Sequence, residues 1–99
     1  MDQEQLRYYE ELRAYLSPLR RLLMEDDASM SFFEEFLEHN EFGLALQTIC
    51  DSLFEREDKS IEESDLETIK FLFTRMQMND EYVFQLKKHN SVLCNRARL

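Results

Sequence analysis

Glycine and proline are almost absent from this sequence of 99 residues, which contains one of each, Gly43 and Pro18. An all-β or α/β domain of this length needs many of both to build its turns. The sequence also lacks a run of roughly 20 apolar residues, the length that spans a bilayer. These absences predict an all-α fold, a compact bundle of four to five helices in a single domain, with no membrane span.

Signals for secretion and for disulfide stapling are missing as well. The first ten residues are polar, whereas a signal peptide has a basic segment followed by an apolar one. The two cysteines, Cys50 and Cys94, are too few to staple a fold, and Cys50 falls on an apolar helical face. We therefore expect a cytoplasmic protein without disulfides.

The residue groupings that usually carry catalysis do not occur in the sequence. Neither cysteine stands in a Cys-His context, and no serine lies in a glycine-flanked turn. Paired Cys-x-x-Cys, His-Glu-x-x-His, calcium-loop and phosphate-loop patterns are lacking too. His39 is interpreted as a helix-end residue and His89 as a polar residue near the tail. We expect no enzymatic activity, no metal and no cofactor.

Acidic residues are abundant and unevenly distributed. The chain has 21 acidic and 12 basic residues and a formal net charge of −9, yet residues 25–67 alone hold fifteen acids and two bases, a net charge of −13. Nucleic acids are bound mainly through Lys and Arg, so they are not expected as direct ligands. An acidic face can instead meet the basic nucleic-acid-binding surface of another protein.

Apolar residues recur at helical spacing in the first half of the chain. Gln3 to Met24 forms an amphipathic pattern, and Ser17-Pro18 marks either a kink or the start of a new helix. A second helix is predicted from Met30 to His39, with Ser29 or Ser31 as its cap and Asn40 as a left-handed stop. Its inward side chains are expected to be Phe32, Phe33, Phe36 and Leu37.

Further helices are predicted downstream. A central helix is expected over Glu41 to Glu55, and a fourth helix that starts at the capping box of Ser60 or of Ser64 and runs to about Met78. A last short helix would carry the apolar residues Tyr82, Val83, Phe84 and Leu86. Periodicity is lost from His89, so the helical domain is predicted over residues 1–88 and a frayed basic tail over 89–99.

One segment resembles a known family. Residues 36–55 read Phe-Leu-Glu-His-Asn-Glu-Phe-Gly-Leu-Ala-Leu-Gln-Thr-Ile-Cys-Asp-Ser-Leu-Phe-Glu. They are similar to the signature of the Maf-type (MafI) immunity proteins, in which a Glu-aromatic-Gly-Leu-Ala core is followed by a helix that closes on an aromatic-Glu pair. The matching core residues are Glu41, Phe42, Gly43, Leu44 and Ala45, and the closing pair is Phe54-Glu55. The core motif is interpreted as a fold signature rather than the toxin contact.

The resemblance implies a function. Such proteins bind and neutralise a cognate bacterial toxin domain, often a nuclease, encoded beside them. Combined with the charge distribution, this predicts that carboxylates occupy a basic substrate cleft of the toxin; the candidate residues are Glu34, Glu35, Glu38, Asp51, Glu55, Glu57 and Asp58. Two alternatives remain open: inhibition at a distal site through exposed apolar residues such as Leu44 or Tyr82, and an acidic helical adaptor or homodimer that uses the leucine-rich first helix.

Overall fold

The structure is a computed structural model that describes residues 2–57 and 59–97. These residues form five α-helices and one 3-10 helix and contain no strand, which confirms the predicted all-α fold. The elements are α1 (Gln3–Leu16), the 3-10 helix (Ser17–Leu23), α2 (Asp27–Glu38), α3 (Phe42–Phe54), α4 (Glu63–Arg75) and α5 (Glu81–Ala97). None of these helices is long and apolar enough to cross a membrane.

The chain divides into two compact units, Met1–Ile49 and Cys50–Leu99. The apolar residues buried in the first unit are Leu12, Leu16, Leu19, Leu23, Phe33, Leu37, Phe42, Ala45, Leu46 and Ile49. Those buried in the second are Cys50, Leu53, Ile61, Leu66, Ile69, Leu72, Phe73, Val83, Leu86 and Leu93. The helical periodicity of the sequence predicted most of both cores, because it places these residues on one side of each helix.

The break at Ser17-Pro18 changes the type of helix. Proline has no N–H to donate and its ring clashes with the carbonyl group four residues back, so an α-helix cannot continue through Pro18. The chain ends α1 at Leu16 and continues as a 3-10 helix with Pro18 in its first turn. Of the two predicted alternatives, the start of a new helix is therefore correct, and no side-chain hydrogen bond caps this helix.

Helix α2 begins three residues before the predicted start. Its N-cap is Asp26, whose carboxylate accepts hydrogen bonds from the Ser29 backbone N–H at 3.1 Å and from the Ser29 hydroxyl at 2.7 Å. The predicted caps Ser29 and Ser31 are wrong, since both lie within the helix. An aspartate at this position is as good a cap as serine and adds a negative charge at the positive end of the helix dipole.

Asn40 ends α2 as predicted. It has a φ of 58°, and the two bonds of a Schellman motif surround it: Asn40 N–H donates to the Leu37 carbonyl at 3.1 Å, and Glu41 N–H donates to that of Phe36 at 2.8 Å. Helix α3 follows at once. Its bounds, Phe42–Phe54, agree with the predicted central helix to one residue at each end.

Helix α4 differs from its prediction at both ends. It starts at Glu63, and its N-cap Glu62 makes no side-chain cap bond, so neither Ser60 nor Ser64 is a capping residue. It ends at Arg75 rather than Met78, because Gln77 takes a left-handed conformation with a φ of 56°. Met78 N–H then donates to the Phe73 carbonyl at 2.9 Å, which repeats the corner that Asn40 makes in the first unit.

The frayed tail predicted from His89 is wrong. Helix α5 continues from Glu81 to Ala97, and it buries Asn90 and Leu93. Arg98 and Leu99, the last residues of the predicted tail, lie outside the described residues. The inward side of α5 continues from Leu86 to Leu93. Between them, His89 and Asn90 occupy positions where an apolar pattern would have apolar side chains, so the helix was not recognised from the sequence.

The Asp26 cap generates a prediction for stability. Asp26→Ala should lower the free energy of unfolding by about 1 kcal/mol, because the Ser29 N–H loses its acceptor. Urea unfolding followed by circular dichroism measures the change. Glu25→Ala is the matched control, since it removes an adjacent carboxylate that is exposed and lies outside the helix. Equal losses for the two variants would contradict the assignment of the cap.

Candidate protein-binding surface

The predicted carboxylates fall into two groups, one in each unit. Glu34, Glu35 and Glu38 lie on α2 in the first unit. Asp51 lies on α3, and Glu55 and Glu57 follow that helix, all in the second unit. Every one of them is exposed except Glu34, which is half-buried. Asp58, the remaining candidate, lies outside the described residues.

The outer face of α2 carries an acidic row. Asp27, Ser31 and Glu35 follow one another at steps of four residues, and Glu38 lies three residues further on, so these side chains share one side of the helix. All four are exposed. Asp27 was not among the predicted site residues; its position in the first turn also suits the helix dipole.

An aromatic pair lies beside the acidic row. Phe32 and Phe36 stack with ring centroids 6.4 Å apart and an interplanar angle of 21°. Phe32 is 56% exposed and Phe36 is half-buried, so the prediction that both point inward is wrong for Phe32. The helical spacing could have predicted this exposure. Phe33 and Leu37 occupy the inward side, and Phe32 lies about 100° away from Phe33 around the helix axis.

Glu34 has a partner within its own unit. Its carboxylate forms an ion pair with the Arg20 guanidinium at 3.1 Å, and both side chains are partly exposed, at 43% and 45%. An ion pair as exposed as this contributes about 0 to 1 kcal/mol, so a partner protein could compete for either group. Glu34 lies at the edge of the outer face of α2 and links it to the 3-10 helix.

Glu55 and Glu57, of the second group, lie on a segment that α5 holds by hydrogen bonds. Asn90 is buried, and its amide clasps the backbone of Ile61: the Ile61 N–H donates to the Asn90 Oδ1 at 2.6 Å, and the Asn90 Nδ2 donates to the Ile61 carbonyl at 3.0 Å. His89 Nε2 lies 2.9 Å from the Arg56 carbonyl. A carbonyl only accepts, so His89 donates from Nε2. Sequence reasoning assigned no role to Asn90 and described His89 only as a polar residue near the tail.

The residues that resemble the family motif are divided between core and surface. Phe42 and Ala45 are buried, while Glu41 and Leu44 are exposed. The Phe42 ring meets the Tyr9 ring edge-on at 5.3 Å, and the Arg13 guanidinium lies 5.4 Å from its centroid. These contacts within the first unit agree with the interpretation of Phe42 as a structural residue.

Gly43 and Asn40 occupy the start of α3 and the corner before it. Gly43 lies in the first turn of α3 and does not have a positive φ. Asn40, besides ending α2, accepts a hydrogen bond from the Arg13 guanidinium through its side-chain oxygen. The motif therefore lies where α1 contacts the corner between α2 and α3.

A shallow cleft lies in the second unit. It has a volume of about 330 Å³ and is lined by Phe54, Asn79, Glu81, Tyr82 and Gln85. Its polar groups pair with one another: Asn79 Oδ1 accepts from the Glu81 N–H at 2.9 Å, and Gln85 Nε2 donates to the Glu81 carboxylate at 3.0 Å. The rings of Phe54 and Tyr82 supply its apolar surface. Tyr82, named above as a distal contact, is half-buried here.

The thiol of Cys50 is buried next to an acidic residue. Burial raises the pKa of Cys50 to about 12, and the adjacent Asp51 carboxylate adds to this effect. A thiol with so high a pKa stays protonated at neutral pH and is a poor nucleophile. Within residues 2–57 and 59–97, no three His, Cys, Asp or Glu side chains are grouped so that they could hold a metal ion.

No family model matches this chain, and neither a curated protein nor a solved structure matches it. The resemblance of residues 36–55 to the Maf-type immunity proteins therefore stays a prediction.

The Asn90 clasp leads to a second prediction. Asn90→Ala should lower the free energy of unfolding by about 2 kcal/mol, because it leaves the N–H and carbonyl of the buried Ile61 without partners. Asn95→Ala removes the same amide from an exposed position on α5 and serves as the control. Faster hydrogen exchange at Ile61 in the Asn90 variant alone would support the clasp. Unchanged exchange would argue against it.

The environment of Cys50 leads to a third prediction. In the folded protein at pH 8, a thiol reagent should label the half-buried Cys94 and leave Cys50 unmodified, since Cys50 is buried and its pKa is about 12. Mass spectrometry after digestion identifies the labelled site. Addition of denaturant should expose both thiols. Labelling of Cys50 at a rate similar to that of Cys94 without denaturant would contradict the prediction.

Proposed function

We propose that this chain is an immunity protein that binds and neutralises a cognate bacterial toxin domain, a basic nuclease, and that it has no enzymatic activity of its own. The observation that carries the proposal is the net charge of −13 over residues 25–67, a stretch whose exposed carboxylates include Glu35, Glu38 and Glu55. The resemblance of residues 36–55 to the Maf-type immunity proteins adds the class of partner. The site of action would be the cytoplasm, where the producing cell meets the toxin.

The mechanism is electrostatic occlusion of a substrate cleft. A nuclease lines its cleft with Lys and Arg to neutralise phosphates. Exposed carboxylates such as Glu35 and Glu38 on α2 carry negative charge, as phosphates do, and they are spaced along one helix. Complementary charge raises the association rate and disfavours partners that are not basic. A bound immunity protein would then exclude RNA or DNA from the cleft.

The two groups of carboxylates are separate candidates for this interface, each within its own unit. Those on α2 are held by a helix that is capped by Asp26 and closed by Asn40. Glu55 and Glu57 lie on a segment whose carbonyl and amide groups are held by His89 and Asn90. The alternative of a homodimer through the first helix is less favoured, because Leu12 and Leu16 are already buried within the chain.

The test begins with the toxin domain encoded beside this chain. Co-expression should rescue the growth of cells that make the toxin domain, and the purified proteins should form a complex whose affinity falls as salt is raised. The complex should also block cleavage of the nucleic acid. A wild-type chain that neither rescues growth nor binds the domain would contradict the proposed function.

Charge reversal separates the electrostatic mechanism from the function. The pair Glu35→Lys and Glu38→Lys should lower the association rate by roughly tenfold or more and reduce its salt dependence, because attraction to a basic cleft is replaced by repulsion. Glu4→Lys with Glu10→Lys changes the net charge equally at exposed positions outside the acidic stretch and is the matched control. Asp51→Lys with Glu55→Lys tests the second group. If all three double variants bind alike, occlusion by an acidic face is wrong even where rescue persists.

A further inference from the structure

The outer face of α2 has an apolar row beside its acidic row. Ala28, Phe32 and Phe36 follow one another at steps of four residues, and Ala28 and Phe32 are exposed. Phe32 lies three residues before Glu35, a spacing at which two side chains are neighbours on a helix. The acidic row therefore runs alongside a stacked aromatic pair.

The Phe32 ring is not packed into the core of the first unit. Its neighbours Phe33 and Leu37 are buried, whereas more than half of the Phe32 side chain faces solvent. The half-buried Phe36 stacks against its ring. A phenylalanine has only two side-chain torsions, so it loses little conformational entropy when a partner covers it.

We propose that Phe32 is the apolar anchor of the interface, and that it enters an apolar pocket rimmed by Lys or Arg side chains on the partner. The inference rests on the proposed function and names the part of the surface that holds the complex together. Large aromatic side chains buried near the centre of an interface supply much of its affinity, while exposed charges at the rim mainly alter the association rate.

Charge around the ring selects the partner. Asp27, Glu35 and Glu38 are exposed on the same side of α2, so a pocket that receives Phe32 faces these carboxylates. A basic rim complements them. A second copy of this chain does not, because a symmetric contact through Phe32 brings the carboxylates of both copies together. The occupant is therefore a cationic partner.

Two substitutions distinguish an anchor from a purely electrostatic surface. Phe32→Ala should weaken binding of the toxin domain by roughly 30-fold, mainly through faster dissociation, with the salt dependence unchanged. Phe32→Glu should weaken it at least as much. A surface that works by charge alone predicts the opposite for Phe32→Glu, since one more carboxylate strengthens the attraction to a basic cleft.

Phe84 provides a matched control. It is 55% exposed on α5 in the second unit, against 56% for Phe32, so Phe84→Ala and Phe84→Glu remove a similar amount of exposed apolar surface elsewhere. Binding by the Phe84 variants should match the wild type. Thermal unfolding of all four variants checks that each retains the fold.

The outcomes separate the two proposals. A wild-type chain that does not bind the toxin domain contradicts the proposed function. Wild-type binding together with Phe32 variants that bind as tightly as the Phe84 variants overturns the anchor alone. Sedimentation velocity tests whether a second copy of the chain covers Phe32 instead. A dimer of the wild-type chain that Phe32→Glu abolishes would overturn the proposal of a cationic partner.

Discussion

Hydration of the carboxylates is the constraint that orients the helices of the acidic stretch. Residues 25–67 have a net charge of −13, and an unpaired carboxylate costs several kcal/mol to bury. An apolar side chain gains only about 1.5 to 3 kcal/mol from burial. Each helix in the stretch must therefore turn its acidic side to water. Asp65, the buried exception, is not without a partner.

That constraint explains the aromatic pair on α2. Three phenylalanines fall within five residues, Phe32, Phe33 and Phe36, and they spread around more of the helix than one buried stripe can cover. With Glu35 and Glu38 held in water, Phe33 and Leu37 define the inward side. Phe32 then lies outside and Phe36 at the margin. The same acid that limits the core thus produces an apolar feature bordered by negative charge.

Sequence reasoning reached the features that depend on side-chain periodicity and missed those that depend on single hydrogen bonds. The bounds of α3 were predicted, because the spacing of apolar residues fixes them. The left-handed conformation of Asn40 was also predicted, because asparagine tolerates it. The left-handed conformation of Gln77 was not predicted, since glutamine has no preference for it and only the end of α4 requires the positive φ. Asp26 and Ser29 are both residue types that cap helices well, so the sequence alone did not identify Asp26, which accepts a hydrogen bond from the Ser29 N–H.

The C-terminal half of α5 was not predicted, for a similar reason. Asn90 breaks the apolar pattern, yet it is buried because its amide satisfies both backbone groups of Ile61. A polar residue on a buried helical face is indistinguishable from the start of a loop until its partner, 29 residues away, is known. The candidate surface was predicted in the same uneven way: the exposed carboxylates followed from composition, but the exposed ring of Phe32 required the orientation of α2.

The two kinds of side chain on α2 suit different stages of the proposed binding. Fixing a glutamate side chain costs roughly 1.5 to 2 kcal/mol of rotamer freedom, which is similar to or more than what an exposed ion pair returns. In the proposed complex, Glu35 and Glu38 would therefore act chiefly at long range, where attraction requires no fixed geometry. Phe32 has two side-chain torsions and a stacked neighbour, so covering it returns apolar free energy at a small entropic cost. In the proposed complex, charge brings the partner to α2 and the ring slows its departure.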